Sequence, residues 1–409
     1  MREWKEYQLG EIATVQTGPF GSQLHMHDYV TDGTPIITVE HLGDNKVIHS
    51  NLPLVSDEDK ERLKKYTLRE GDIVFSRVGS VDRRAYVSNR EQDWMFSGRC
   101  LRVRSNSDLV NGKFLSYFFG LDSFKEHIRM VAVGATMPSI NTGILSDVVI
   151  MLPPLTVQEA IADVLSSLDD KIDLLHRNNR TLEQIAETLF RHRHSFELGK
   201  GRPSFIGDLF VDTIGGEWGK ETPDENNTVK VKCIRGTDIG TMQSTIPSPP
   251  TRYVTSKKFE RCRVRLGDIV IEISGGTDDQ STGRAYFFNK INIELLGNDV
   301  VFSNFCRLLR PKREAFTYFL YSLLRYIYKR GDFFNLENGT SGIRNLDLNG
   351  FLFQESYYLP EVQEIDAFSN DVAPLFDKIS FNLKEIQTLQ RLRDTLLPKL
   401  MNGEVRVTL

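Results

Sequence analysis

Two stretches of this chain, KIDLLHRNNRTLEQIAETLF (residues 171–190) and KISFNLKEIQTLQRLRDTLL (378–397), share one apolar rhythm. In the first region Ile161, Leu165, Leu168, Ile172, Leu175, Asn179, Leu182, Ala186 and Leu189 follow one another in steps of four and three. An offset of 207 residues gives Phe368, Val372, Leu375, Ile379, Asn382, Ile386, Leu389, Arg393 and Leu396, with identical spacing. Such a stripe, held for about four heptads, is the pattern of a coiled coil. Neither helix buries its stripe alone, so the spacing predicts that the two bury each other. Helices leaving equivalent domains in a pseudo-twofold arrangement run antiparallel. Asn179 and Asn382 then fall in facing classes of seam position near mid-helix, where their amides can pair; the alternative leaves both partly exposed and unpaired. Thr156 and Glu159 fit a capping box at the start of the first helix.

The helices close two halves of a duplicated chain. LREGDIVFSRVGS (68–80) recurs as VRLGDIVIEISGG (264–276), and Arg84-Ala85-Tyr86 as Arg284-Ala285-Tyr286. FSGRCLRV, from Phe96, is echoed by FSNFCRLL, from Phe302. GATMPSINTGIL, from Gly134, is echoed by GTSGIRNLDL, and LPPLTVQEAI, from Leu152, by YLPEVQEIDAF. The order is the same in both halves, so chance explains it poorly. Each half mixes short β-rich runs with apolar helical stretches and shows no regular βαβ alternation. The fold class read from this is α+β, with two similar mixed globules. The expected boundaries are 1–153 for the first domain, 154–195 for the central long helix, 196–359 for the second domain and 360–409 for the last helix and tail. HRHSFELGKGRPS (192–204) is the boundary segment.

A chain of 409 residues, 40% hydrophobic and 26% charged, has the composition of a soluble globular protein. No apolar run reaches the ~20 residues of a membrane span, and MREWKEYQLG lacks the layout of a signal peptide, so a cytoplasmic location is expected. Cys100, Cys233, Cys262 and Cys306 form no CxxC pair and read as buried reduced thiols in strands. The formal net charge of -4 is no global nucleic-acid signature, so any such binding rests on local patches or a partner.

Signs of catalysis are missing. GGEWGK is one residue short of a P-loop and has Glu221 where Ser or Thr belongs. There is no HExxH and no dinucleotide fingerprint. His25 and His27, with His41 and His49, read as loop histidines in preference to a metal cluster. No catalytic residue and no metal ligand is assigned.

The ordered motifs WKEYQLGEIATVQTG, GDIVFSRVG, TMPSIN, LPPLTVQEAIADVLSSLDDKI and DTLLPKLMNGEVRV span the chain, which resembles the DNA-specificity subunit of type I restriction–modification enzymes. An NPPY-type tetrapeptide, which an adenine methyltransferase would resemble its own family through, is absent. The resemblance implies two target-recognition domains separated by the two long antiparallel helices. Each domain would read one half of a bipartite, asymmetric site on double-stranded DNA. It implies no catalysis by this chain, and docking of two adenine-N6 methyltransferase (modification) subunits, with motor and nuclease restriction subunits in the full enzyme. S-adenosylmethionine, ATP and Mg²⁺ would belong to those partners. The stripe from 161 to 189 is roughly 42 Å long, near the ~34–36 Å of one turn of B-DNA, and so suits a fixed spacer. A stand-alone bipartite regulator without enzyme partners is the alternative, and a nuclease or ATP-driven enzyme a third.

Three loops recur in each half where that family meets DNA. In the first half the candidates are Gly18, Phe20, Gly21, Ser22 and Gln23; Ser76, Arg77, Gly79 and Ser80; and Thr136, Ser139 and Asn141. In the second they are Gly215, Gly216 and Lys220; Ser274, Gly275 and Gly276; and Thr340, Ser341, Arg344 and Asn345. Glycines let backbone amides approach a phosphate, while Ser, Thr and Arg supply donors. Arg77 and Arg344 are the leading contacts, and Gln23 is placed to read an adenine edge. Ordinary Gly-rich turns are the other reading. Arg99, Arg102 and Arg104, and likewise Arg261, Arg263 and Arg265, alternate as on a strand, either as a solvated face or as a phosphate-facing stripe. Lys64-Lys65 and Lys257-Lys258 read as plain surface. RHRH (191–194) either meets the helix dipole or touches DNA.

Overall fold

The computed structural model describes residues 4–21, 23–105, 109–194, 202–242, 244–277, 279–339 and 343–407. It divides into two compact units, Met1–Asp170 with Arg391–Leu409, and Lys171–Gln390. Among the described residues no helix is long and apolar enough to cross a membrane.

The sequence repeat is a repeat of topology. In the first unit a five-stranded sheet runs in the order Ala13–Thr17, Cys100–Ser105, Ile73–Ser76, Arg84–Tyr86 and Asp44–Asn45. Beside it a smaller sheet orders Leu54–Val55, Thr34–Ile37 and Met95–Phe96, the last pair parallel. Lys5–Gln8 pairs with Val149–Leu152. The second unit repeats all three: Phe210–Gly215, Cys306–Pro311, Ile269–Glu272 and Ala285–Phe287; then Thr251–Val254, Val229–Ile234 and Val300–Phe302, again with a parallel pair; then Arg202–Phe205 with Ser356–Leu359. Each unit is therefore mixed α+β, as its patterning predicts.

The GDIV blocks show why these residues recur. Gly71 and Gly267 take positive φ, +91° and +84°, which turns the chain sharply into a central strand. The next residue, Asp72 or Asp268, is buried and accepts the backbone N–H three residues back, from Arg69 at 2.8 Å or Arg265 at 2.7 Å. Each also accepts a two-pronged contact from the neighbouring strand, Arg104 at 2.7 and 2.6 Å or Arg310 at 2.8 and 2.8 Å. A buried carboxylate is tolerable only when so satisfied. This corrects the reading of the arginine stripe. Arg104 is spent on Asp72, and Arg102 is buried, donating to the carbonyls of Lys65 and Thr67. Arg261, Arg263 and Arg265 form no strand. Thr255 caps a helix, Ser256–Cys262, that takes in Arg261, and the Gly267 turn follows directly.

All four cysteines are free and buried. Burial pushes the thiols of Cys100, Cys233 and Cys306 up to about 12, so they stay protonated. Cys262 differs from expectation in ending a helix.

The long helices run Leu155–Arg193 and Val362–Met401. The first begins at Leu155, so Thr156 lies inside its first turn and does not cap it. Gln158 ties the start instead, accepting from Asn111 N–H and donating to the carbonyls of Leu109 and Pro153. Within the second unit Lys171 pairs with Glu385, Asn179 with Asn382 and Arg193 with Asp371, so numbers rise along one helix as they fall along the other. Within the first unit Asp169 pairs with Arg393, while Ile161 and Leu165 share a core with Leu396 and Leu400. Both segments are antiparallel. Ile161, Leu165, Ile172, Leu175, Asn179, Ala186, Phe368, Val372, Ile379, Asn382 and Ile386 are buried. Leu168, Leu182, Leu189, Leu375, Leu389 and Leu396 are partly buried.

The buried face is wider than a coiled-coil seam. Phe190, Ile365, Phe376 and Leu383, outside the stripe, are also buried. They pack with the helix Phe316–Arg330: Phe190 lies 5.8 Å from Phe319, and Phe376 stacks on Tyr318 at 5.8 Å. Glu183 and Glu187 add ion pairs to Arg325 and Lys329 of that helix. The seam helices therefore bury one side against each other and another against the body of the unit, which calls for a broader apolar arc than two positions in seven.

Three polar seam positions are explained by their partners. Arg393 donates to Asp169 at 2.8 Å, and Asp169 accepts from the Tyr117 hydroxyl at 2.6 Å. Asn382 Nδ2 donates to Asn179 Oδ1 at 2.7 Å in a fully buried setting. Leaving one buried amide without its partner costs about 1–3 kcal/mol, whereas replacing both by apolar groups is close to neutral. Asn179→Leu is thus expected to lower the unfolding midpoint in urea, and Asn179→Leu with Asn382→Leu to recover most of the loss.

Three residues of RHRH are tied into the fold. Arg191 pairs with Glu187, Arg193 with Asp371, and His194 is buried among Phe190, Phe319 and Phe368. Its Nε2 has no hydrogen-bond partner, and burial pushes its pKa down to about 4 from 6.5. The unfolded chain binds this proton first, so the neutral imidazole's contribution is fully present above about pH 6.5 and is lost between there and about 4. Stability measured across that window is expected to fall, and His194→Phe to flatten the fall.

Candidate nucleic-acid interface

In the first unit the three candidate loops converge. The first follows strand Ala13–Thr17, the second links Ile73–Ser76 to Arg84–Tyr86, and the third precedes the short helix Thr142–Ser146. Arg77 lies at the junction. Its guanidinium sits 5.5 Å over the Phe20 ring and donates to Gly98 O at 3.2 Å. Its own carbonyl accepts Ile140 N–H at 2.9 Å, and Gly79 N–H reaches Pro138 O at 2.8 Å. Val78 and Ser139 form a bridge. Phe20 is 54% exposed and Met137 66%, so an arginine braced on an aromatic ring lies among exposed apolar side chains. Gly21, Gly79, Ser80, Thr136 and Asn141 are exposed around it. Gly79, at φ +75°, makes the turn possible.

Other candidates build the loops rather than line their surface. Ser76 is buried and donates its hydroxyl to Val78 O. Gly18 is buried because a Cβ there would lie 2.2 Å from Ser97 O; a Cβ on its counterpart Gly216 would lie 2.0 Å from Ser303 O. Gln23 accepts from the Tyr66 hydroxyl at 2.9 Å, which occupies the oxygen that would read an adenine. Ser139 donates to Val133 O, and Asn141 caps the following helix through Ile144 N–H. Ser22, Thr340 and Ser341 lie outside the described residues.

The second unit joins its second and third loops differently. Ser274–Gly276, Arg344–Leu346 and Glu337–Asn338 form a three-stranded sheet in which Ser274 faces Asn345 and Gly276 faces Arg344. Gly276 is buried, Gly275 is exposed at φ +124°, and Asn345 is exposed. Arg344 lies 5.9 Å over the Phe334 ring and donates to Glu337, which lowers its availability to an outside anion. In the first loop Gly215 packs close to Arg307, and exposed Lys220 exchanges backbone hydrogen bonds with Tyr253 at 2.9 Å. Sequence reasoning missed Arg252, which lies 4.2 Å over Trp218 and pairs with Glu221; no motif joins a strand to a loop some thirty residues earlier.

The histidines separate. His41 is buried with its Nδ1 2.9 Å from the Thr38 hydroxyl, and His49 pairs with Glu91. His25 and His27 instead gather with Asp28.

Residues 1–184 match the family described as the type I restriction modification DNA specificity domain. Over 99% of its length the chain is 23% identical to the type I restriction enzyme HindI specificity subunit of Haemophilus influenzae, covering all of that protein. It is 27% identical to the MjaIX specificity subunit of Methanocaldococcus jannaschii, over 99% of this chain and 94% of that one. In fold it is similar to the crystal structure of the S subunit of a type I restriction–modification system from M. genitalium, with TM-score 0.60 and 17% identity over 97% and 96% of the two chains. These relatives are named as specificity subunits. Residues 1–184 thus match the DNA-specificity domain of type I restriction–modification systems, and the chain along nearly its whole length is similar to specificity subunits of such enzymes.

Proposed function

We propose that this chain reads a bipartite, asymmetric site on double-stranded DNA, one half-site per repeat, with an unspecific spacer set by the paired long helices. It recruits two adenine-N6 methyltransferase subunits, and through them restriction subunits, in a cytoplasmic complex. S-adenosylmethionine, ATP and Mg²⁺ serve those partners. The observation that carries the reading is the convergence of three loops on Arg77 and Phe20 at an exposed face of the first unit, on a scaffold the second unit repeats. A guanidinium braced on a ring and a backbone carbonyl is pre-oriented, so less side-chain entropy is lost when it contacts a base edge or phosphate.

The test is co-expression with the cognate methyltransferase, followed by mapping of methylated adenines across a genome. A two-part motif with a constant gap is expected, together with a complex containing two methyltransferase chains per specificity chain. A chain that binds DNA yet copurifies with no methyltransferase would favour the stand-alone regulator. Arg77→Ala is expected to weaken DNA binding by roughly 5- to 150-fold, equivalent to ~1–3 kcal/mol, and to relax or abolish the motif at one half-site only.

A further inference from the structure

His25-Met26-His27-Asp28, in the loop after the first strand of the large sheet, forms a group to which the reading above gives no role. Met26–Asp28 is a single tight turn closed by the Asp28 carboxylate, which accepts His25 N–H at 2.6 Å. That fold-back brings His25 Nδ1 to 3.4 Å from one Asp28 oxygen and His27 Nε2 to 3.4 Å from the other. The imidazoles stack, with centroids 4.9 Å apart and planes at 18°. One donor atom from each of the three residues lies within 4.8 Å of the other two. Contacts of 3.4 Å are long for hydrogen bonds between an imidazole and a carboxylate, so hydrogen bonding does not by itself account for the gathering of three lone-pair donors.

We propose that His25, His27 and Asp28 form a binding site for a divalent transition ion of borderline softness, of the Zn²⁺ class. Two imidazoles and one carboxylate suit Zn²⁺, Ni²⁺ or Cu²⁺ and disfavour Ca²⁺ and Mg²⁺, which take oxygen ligands. Metal bonds of ~2.0–2.2 Å put neighbouring donors of a tetrahedral shell roughly 3.3 Å apart; each histidine nitrogen lies at about that distance from one Asp28 oxygen, the two from opposite oxygens, so closing on one ion takes a turn of the carboxylate or of an imidazole. The histidine side chains are 53% and 79% exposed, so they are free to close on an ion while water completes its shell. The sequence alone groups four histidines here; the fold removes His41 and His49 and adds the carboxylate that completes a three-ligand set.

The test is calorimetric titration of the untagged full-length chain with ZnCl₂ alone, in the absence of DNA. One equivalent is expected to bind at neutral pH. His25→Gln with His27→Gln is expected to weaken that equivalent on the order of tenfold or more, with Asp28→Asn weakening it less. The two histidines are exposed and Asp28 is partly buried, and an unchanged circular dichroism spectrum checks that the variants fold. Co²⁺ should give a visible absorption band in the parent that the double variant lacks. Absence of Zn²⁺ binding in the parent, or equal binding by the double variant, would overturn the assignment. Because no DNA is present, failure here leaves the recognition proposal untouched.

Discussion

A helix of about forty residues with an apolar face along its length is not stable in water until that face is covered. The rest of this structure depends on how that is met. In the second unit the stripe of each long helix meets the other helix on one side and the aromatic helix Phe316–Arg330 on another, so that Phe190, Phe376 and Leu383 join the same core as Ile379 and Ile386. In the first unit the corresponding helical segments share the core of the sheet through Ile161, Leu165, Leu400 and Met401. The long helices are therefore structural members of each globule and not struts attached to it. The polar residues within the stripe act on register. Asn179 finds Asn382, and Arg393 finds Asp169 and through it Tyr117, so a shift of one turn would strand an amide or a charge.

The two units keep one scaffold and vary what it carries. The glycine turn, the buried aspartate and its arginine occur as Gly71, Asp72 and Arg104, and again as Gly267, Asp268 and Arg310. The serine–cysteine turn and the glycine that packs on it recur as Ser97, Cys100 and Gly18, then Ser303, Cys306 and Gly216. The loops beyond these points diverge. One unit gathers an arginine on Phe20 among exposed apolar groups; the other ties its arginine to Glu337 in a small sheet. Constant packing below variable loops suits a protein whose two halves meet different surfaces with the same framework.

Much of this was legible in the residues. The repeat, the α+β class and the two long helices follow from spacing and order, because hydrophobic period is a local property of the chain; the pairing of Asn179 with Asn382 was one of two readings until the fold showed the contact. The roles of single polar residues were less legible. Arg102 and Arg104 look like a basic stripe until the strand beside them supplies Asp72 and the turn supplies two carbonyls. Gln23 looks like a base reader until Tyr66, forty-three residues on, takes its oxygen. The width of the buried helix face was also hidden, since Phe190 and Phe376 count as seam or surface only once the helix Phe316–Arg330 is known to lie against them.

By itself the sequence determined that the chain is built twice over and that each half ends in a long helix in need of a partner, because these are matters of order and period along a covalent chain. Only the tertiary structure decided which arginines remain free, which glycines are packing necessities and which histidines share a carboxylate. Those outcomes depend on what lies across a sheet or a loop from each side chain, and that neighbour is set by packing rather than by proximity in the chain.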